Sequence, residues 1–327
     1  PPGCTGYVPL MGQGPVIALS GGVGGAKLAL GLSRLDLGDE LLIVANVGDD
    51  FEHLGLTICP DLDTVTYTLS GLSDQEKGWG RTDEGWRFME SLGQLGGEDW
   101  FNLGDRDLAL HIMRTQALRS GESLTAVTRT ITRRLGIAAP IVPMTDDPVR
   151  TMVQTADGPL AFQHYFVRDR CEPVVTGFDF TGINNARPQA DFKAALSDPD
   201  LQAIVITPSN PFVSVDPILN LPGIRDTLRA VAAPVVAVSP IVAGLAIKGP
   251  AAKMMHELGM PTAALAVAEH YGELLDGFVL DHGDGDQANA VAALGVRPLV
   301  TKTVMESLED RENLAREVLG LARDIGN

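Results

Sequence analysis

The sequence predicts an α/β protein of the Rossmann-like kind, a three-layer sandwich with a mostly parallel sheet and an inserted helical region. Three observations carry this reading. Short apolar runs stop at glycine or polar clusters, helix-compatible stretches separate them, and the first run leads through a glycine-rich turn into a helix. Strands that are apolar throughout suit a parallel sheet covered on both faces.

Taken in order, residues 15–20 (Pro-Val-Ile-Ala-Leu-Ser) read as a strand that ends at the glycines of 21–25, and 27–33 reads as a helix. Glu40-Leu-Leu-Ile-Val-Ala-Asn46 is a second buried strand running into Asn46-Val-Gly-Asp-Asp50. Over 64–135 the strand-like runs vanish, and charged, helix-compatible segments appear at 84–95 and 107–119. No linker flanks this stretch, so it predicts a helical insertion within one domain covering 15–327. Strand signals resume at 137–142, 152–154, 160–167, 203–207 and 234–239, with helical stretches at 191–196 and 217–231 between some of them. Alternation continues through 254–259, 263–275 and 277–281. The end of the chain carries Leu308, Leu314, Val318, Leu321 and Ile325 at helical spacing, behind Ser307 with Asp310 three residues on, a capping pattern.

Composition narrows the function classes. A chain of 327 residues with 45% hydrophobic content can bury a large core. Its longest apolar runs, 230–238 and 241–247, are broken or bounded by Pro or Lys and fall short of the roughly 20 residues of a membrane helix. A net charge of −17 argues against wrapping nucleic acid or docking on anionic lipid. Cys4, Cys59 and Cys171 are too widely spaced for a disulfide framework or a CxxC metal pair, so a reducing cytoplasm is expected. Residues 1–14 have no periodicity and no secretory pattern, and a disordered tail or tag remnant is expected there.

The chemistry concentrates after the first two strands. In Ser20-Gly-Gly-Val-Gly-Gly-Ala-Lys27 the glycines let backbone approach a ligand, and the helix that follows aims its N-terminal amides at the same place. Phosphate is the natural guest. The segment is neither GxxxxGK[ST] nor GxGxxG, because Lys27 precedes Leu28 and stands where the third glycine would be. The plain alternative is a glycine turn that packs helix on strand. Asp49, Asp50, Asp61 and Asp63 follow the second strand. Such carboxylates hold a hard cation such as Mg²⁺ or orient a hydroxyl, though Asp equally caps turns and helices. Ser209 and Asn210 offer hydrogen bonds to a phosphate or simply form a turn. An acidic protein that handles phosphate needs local compensation, which backbone amides, a few Lys and Arg, or a divalent cation supply. Asp281-His-Gly-Asp-Gly-Asp286 fails the calcium-loop spacing at Ala292 and reads as a loop.

As an ordered set, Gly21 to Lys27, Asn46-Val-Gly-Asp-Asp50, Cys59-Pro-Asp-Leu-Asp-Thr64, Leu103-Gly-Asp-Arg-Asp107, Met144-Thr-Asp-Asp-Pro148, Pro208-Ser-Asn-Pro211 and Val238-Ser-Pro-Ile241 resemble the CofD/FbiA family, the 2-phospho-L-lactate transferases of coenzyme F420 biosynthesis. The resemblance runs from about residue 15 to the end. It implies transfer of a phosphorylated lactyl, enolpyruvyl or glyceryl group from a GDP-linked donor to the hydroxyl of the deazaflavin Fo, with Mg²⁺ required, GMP released, and a homodimer. By analogy Gly21, Gly22, Gly24, Gly25, Lys27, Ser209 and Asn210 hold the donor, Asp49, Asp50 and Asp61 the metal, and Asp49, Asp50 and Asp63 serve catalysis. Asp63 and Asn102 meet Fo. Some members carry Lys where Asn102 stands. Trp79, Trp86 and Trp100 are candidates to stack on the deazaflavin, with core packing the expectation for at least two. A nucleotide-sugar-binding regulator of the YvcK type is the alternative. A nicotinamide dehydrogenase fits less well, because the second strand ends at Asn46 rather than at an acidic ribose ligand.

Overall fold

Strand β1 (Val16–Ser20) is buried along its whole length and lies inside the sheet, paired on both sides. In the computed structural model, which describes residues 14–37, 40–74 and 77–327, seven parallel strands are built around it. These are β1, β2 (Leu41–Ala45), β3 (Ile141–Pro143), β4 (Ala203–Ile206), β5 (Val235–Val238), β6 (Gly277–Asp281) and β7 (Arg297–Thr301). Their spatial order is β3-β2-β1-β4-β5-β6-β7, the order of a Rossmann sheet with one more edge strand. All six pairings are parallel. The chain leaves β1 in one direction and returns to its other side at β4. The loops after β1 and β4 therefore face each other across a topological switch point, the place where such sheets bind ligands.

Helix α1 (Gly22–Ser33) packs against the C-terminal helix (Leu308–Gly326) so closely that a side chain at Gly31 would overlap the carbonyl of Arg311. The C-terminal helix begins with the expected device: Ser307 Oγ accepts from Asp310 N at 3.0 Å, and Asp310 accepts in return from Ser307 N. Between β2 and β3 lie a small hairpin (Phe51–His53 with Leu56–Ile58) and helices α2 (Pro60–Leu69), α3 (Arg87–Gln94), α4 (Asp107–Arg119) and α5 (Leu124–Arg134). Within 64–135 no strand occurs among the described residues.

Two expectations need correction. The strands read at 152–154 and 160–167 do not join the main sheet. Arg150–Thr155, Gly158–Ala161 and Val175–Thr181 form a separate antiparallel sheet. Its signature is one-sided burial, with Thr151 and Val153 inside and their neighbours partly exposed. After Ala161 the chain turns helical, through His164–Arg168. Strand β7, by contrast, carried no recognisable signal, because it is a partly exposed edge. The stretch 217–231 is two short helices, Asp216–Leu219 and Ile224–Ala230, divided at Gly223 with φ +80°. The tail expected at 1–14 lies, but for Gly14, outside the described residues. No helix among the described residues is long and apolar enough to cross a membrane.

Candidate active site

The glycine loop is held by the opposing loop of β4. Ser209 Oγ donates to Gly21 O at 2.7 Å and accepts from Gly21 N at 3.1 Å. Thr207 Oγ1 shares a 3.0 Å hydrogen bond with that same hydroxyl and bonds Leu19 O at 2.8 Å. A Cβ at Gly25 would lie 2.5–2.7 Å from the hydroxyls of Ser209, Ser20 and Thr207, and one at Gly24 would overlap the Pro208 carbonyl. Those two glycines exist so that the two loops can touch. Gly21 is equally confined, with Ser214 Cβ and Asp61 Oδ2 2.6 and 2.7 Å from the place of its missing Cβ. Gly22 differs: its φ is +62° and nothing lies within 4 Å of where a side chain would start. This is the one glycine of the four that opens onto free space at the first turn of α1.

The carboxylates fall into two groups. Asp61, at the start of α2, accepts from Gly22 N at 2.6 Å and from Asn46 Nδ2 at 2.9 Å, tying the glycine loop to the end of β2. Asn46 Oδ1 in turn accepts from Gly48 N at 2.8 Å, which turns the chain into Asp49 and Asp50. Asp49, Asp50 and Asp61 are all buried. Burial pushes Asp49 well above the usual carboxylate range, and the charge of Asp61 adds to it. Burial raises Asp50 to about 7 against the hydrogen bond of Cys59 and the charges of Arg150 and Arg114. Asp61 is raised to about 6, again by burial, with the Asn46 and Gly22 bonds opposing. One oxygen each of Asp49 and Asp50 is buried with no hydrogen-bond partner, as are the hydroxyls of Ser20 and Thr151. Unpaired buried carboxylate oxygens are costly and call for a proton or a cation.

Asp63, one turn along α2, is the opposite case. Both its oxygens are engaged by Arg114, through Nη1 to Oδ2 at 3.1 Å and Nη2 to Oδ1. Arg114 comes from α4, whose Asp107, His111 and Arg114 share one face at spacings of four and three. His111 lies between two carboxylates, with Nδ1 3.7 Å from Asp63 and Nε2 3.2 Å from Asp107. Tyr67, a turn after Asp63, donates to Asp107 Oδ1. Burial works to raise Asp107, but the contacts of His111, Tyr67 and Arg114 outweigh it and hold the group below its ordinary value.

The remaining expected residues are scattered around these two groups. Lys27 Nζ donates to Met305 O at 2.8 Å, so its ammonium is anchored to the segment before the C-terminal helix. Asn210 Oδ1 accepts from Phe212 N and Val213 N at 3.0 and 3.4 Å, so its acceptor serves the turn. Asn102 is exposed at the entry to α4. The aspartates of the 144–148 segment are structural: Asp146 caps α5 through Thr125, and Asp147 pairs with Arg187. Trp100 is wedged edge-on between His53 and His164, at 5.0 and 4.9 Å, whereas Trp79 is half exposed. Sequence reasoning missed Arg114, His111 and Tyr67, although the spacing of the first two with Asp107 was available. It also gave no role to Asn46, which ties β2 to Asp61.

Mg²⁺ commonly takes one or two carboxylates and completes its shell with substrate phosphates and water. Asp49 and Asp50, with their free oxygens, and Asp61 beside them suit that mode. Among the described residues no three acidic, His or Cys side chains converge into an all-protein cage. A helix N-terminus beside unpaired carboxylates suits transfer of a phosphorylated group.

Comparison with known proteins identifies the chain. The model of the family described as 2-phospho-L-lactate transferase CofD matches residues 16–309. This chain belongs to the CofD family. It is a transferase, and the resemblance carried by its ordered motifs to the transferases of coenzyme F420 biosynthesis is borne out. A phosphoenolpyruvate transferase of Streptomyces coelicolor is 40% identical over 316 residues, covering 95% of this chain and 98% of its own. A 2-phospho-L-lactate transferase of Methanosarcina acetivorans is 40% identical over 306 residues, covering 94% and 98%. Among solved structures, a UPF0052-family protein of Bacillus halodurans superimposes with a TM-score of 0.62 at 17% identity, over 94% of this chain and 99% of its own. That likeness bears out the α/β Rossmann-like architecture.

Proposed function

We propose that this CofD-family chain transfers the phosphorylated acid of a guanosine-diphosphate-linked donor to the hydroxyl of the deazaflavin Fo, releasing GMP. The observation that supports the reading is the open space beside Gly22, whose amide is held by Asp61, together with the partnerless carboxylate oxygens of Asp49 and Asp50. In the reaction the acceptor oxygen bonds to the phosphorus that bears the acid. The bond from that phosphorus to the bridging oxygen breaks, and its electron pair leaves with GMP. Asp50 receives the hydroxyl proton, Asp63 and Asn102 align the acceptor, and the loop of Gly21 to Lys27 with Ser209 and Asn210 holds the donor. Asp49, Asp50 and Asp61 would hold Mg²⁺, which supplies charge neutralisation on the phosphates when bound. A homodimer in a reducing cytoplasm belongs to the same reading.

The two 40%-identical relatives carry different acids in their names, so the donor is a matter for experiment. Purified protein is offered Fo, Mg²⁺ and a lactyl, enolpyruvyl or glyceryl donor in turn, and the product is weighed by mass spectrometry. One donor is expected to give a deazaflavin phosphodiester, and excess chelator is expected to abolish turnover. Tight binding of a UDP-sugar with no transfer from any donor would replace this reading by the regulatory one.

A further inference from the structure

A lysine outside the glycine loop, Lys248, lines a cleft beside the first helix. The cleft runs along α1 and α2, lined by Val23 and Lys27 of the first, Thr64 and Thr68 of the second, and Trp79 and Lys248 from two separate loops. Val23 with Lys27 and Thr64 with Thr68 are four apart, so each pair stands on one helix face, starting one residue after Gly22 and after Asp63. The cleft thus starts within one helical turn of Gly22 and Asp63.

Lys248 follows the small hairpin Ile241–Val242 with Leu245–Ala246. Its ammonium lies over the turn at Gly78, where φ is +75° and a Cβ would occupy the same space. Among the described residues its ammonium makes a 3.5 Å contact with the Lys77 carbonyl. Among the described residues neither Lys27 nor Lys248 lies within salt-bridge distance of a carboxylate. Asp74, which also lines the cleft, pairs with Lys77 at 3.5 Å. Lys27 senses Lys248: burial lowers its proton affinity, and the nearby charges of Arg311 and Lys248 lower it further, against the opposing charge of Glu306. In a chain of net charge −17, two ammonium groups share this cleft with Asp74, whose charge Lys77 meets, so among the described residues the local balance favours an anion. Lys27 is committed to Met305, which leaves Lys248 as the ammonium free to reach a ligand.

We propose that Lys248 is a binding residue for the anionic part of the donor, completing across the cleft the cradle begun by the glycine loop. The assignment rests on the donor reading above. A charge-assisted bond from an exposed lysine to a bound anion contributes enough to change affinity about tenfold. Its target is either the diphosphate or the carboxylate of the acid, and both present the same anionic oxygens.

The test compares wild type, Lys248→Gln and Lys248→Glu with Lys193→Gln, a remote surface lysine that controls for net charge. GDP binding is measured by calorimetry at low and high salt, and donor KM and kcat by product formation. Lys248 is exposed, so its variants are expected to fold as wild type, which circular dichroism checks. Lys248→Gln is expected to raise donor KM about tenfold with kcat little changed, and Lys248→Glu to raise it more. If GDP binding weakens in parallel, the diphosphate is the partner. If GDP binding holds while donor KM rises, the carboxylate is. Wild-type donor KM and GDP affinity in Lys248→Gln, or an equal effect of Lys193→Gln, would overturn the assignment and leave the transferase reading standing. A wild-type protein that neither binds GDP nor uses any donor removes both.

Discussion

Two sets of buried carboxylates sit on either side of the first turn of α2, and they are solved in opposite ways. Asp63 and Asp107 are met by Arg114, His111 and Tyr67, all drawn from the facing sides of α2 and α4. Asp49, Asp50 and Asp61 are buried as Asp63 is, yet no salt bridge among the described residues meets them, and their help comes from Asn46, Gly22 and Cys59 and the charges of Arg150 and Arg114. The first set holds the helical insertion onto the sheet. The second stores an electrostatic cost that a bound cation and its phosphates relieve. Neutralising a residue in the second set should therefore harm activity and spare stability, and doing so in the first should harm both.

Asp49→Asn is the largest test of this contrast. Turnover is expected to fall on the order of 10²–10⁴-fold, as for loss of a group that organises a transition state. Thermal stability without ligand is expected to hold or rise, since an unpaired buried charge has been removed. A drop in Tm as large as that of a core cavity would break the comparison. Arg114→Met works from the other side. It strands Asp63 in a buried place and should cost about 3–5 kcal/mol in urea unfolding. Adding Asp63→Asn should recover much of that loss, and an additive double variant would show that the pair is not what Arg114 supports.

pH separates the two sets by sign. Asp50 rises from 3.8 unfolded to about 7 folded, so the unfolded state ionises first. Its contribution is favourable below pH 4 and is lost as pH rises towards 7, an effect of a few kcal/mol at most. Asp61, raised to about 6, acts in the same direction. Asp107, held low, acts in the opposite one: its stabilisation is present above about pH 4 and is lost below it. The unliganded protein should thus lose stability between pH 4 and 7, and Mg²⁺ with GDP should flatten that fall. A melting profile indifferent to both pH and ligand in Asp50→Asn, but sloped in wild type, assigns the slope to this set. An unchanged slope in the variant removes Asp50 from it.

How much of this was legible in the sequence follows from range. Strand β1, the glycine loop and the start of β2 were readable because burial on both faces writes an uninterrupted apolar run. The C-terminal helix was readable because its cap, Ser307 with Asp310, is local. The separate sheet at 150–181 and the edge strand β7 were not, because alternation and partial exposure weaken the apolar signal. The four aspartates could be nominated as a group, but not sorted. Whether a carboxylate is paired depends on Arg114, fifty-one positions beyond Asp63, and on the approach of α4 to α2. No local pattern encodes that approach, although Asp107, His111 and Arg114 at helical spacing mark the polar face that makes it.

The smallest effect concerns the loop itself and separates fold from binding within four residues. Gly25→Ala would drive a methyl group into three hydroxyls at 2.5–2.7 Å, forcing the β1 and β4 loops apart. Its cost should be about 1–3 kcal/mol or more, as for overpacking in a tight core. Gly22→Ala meets no atom within 4 Å and pays only for a left-handed φ of +62°, about 1 kcal/mol. The alanine methyl, however, would project into the open space proposed for the donor phosphates. Gly22→Ala should therefore keep a Tm within a few degrees of wild type and lose GDP affinity, measured by calorimetry. Undiminished GDP binding in a well-folded Gly22→Ala would mean that the open side of the loop is not where the anion sits, and that the unpaired carboxylates beside it serve something else.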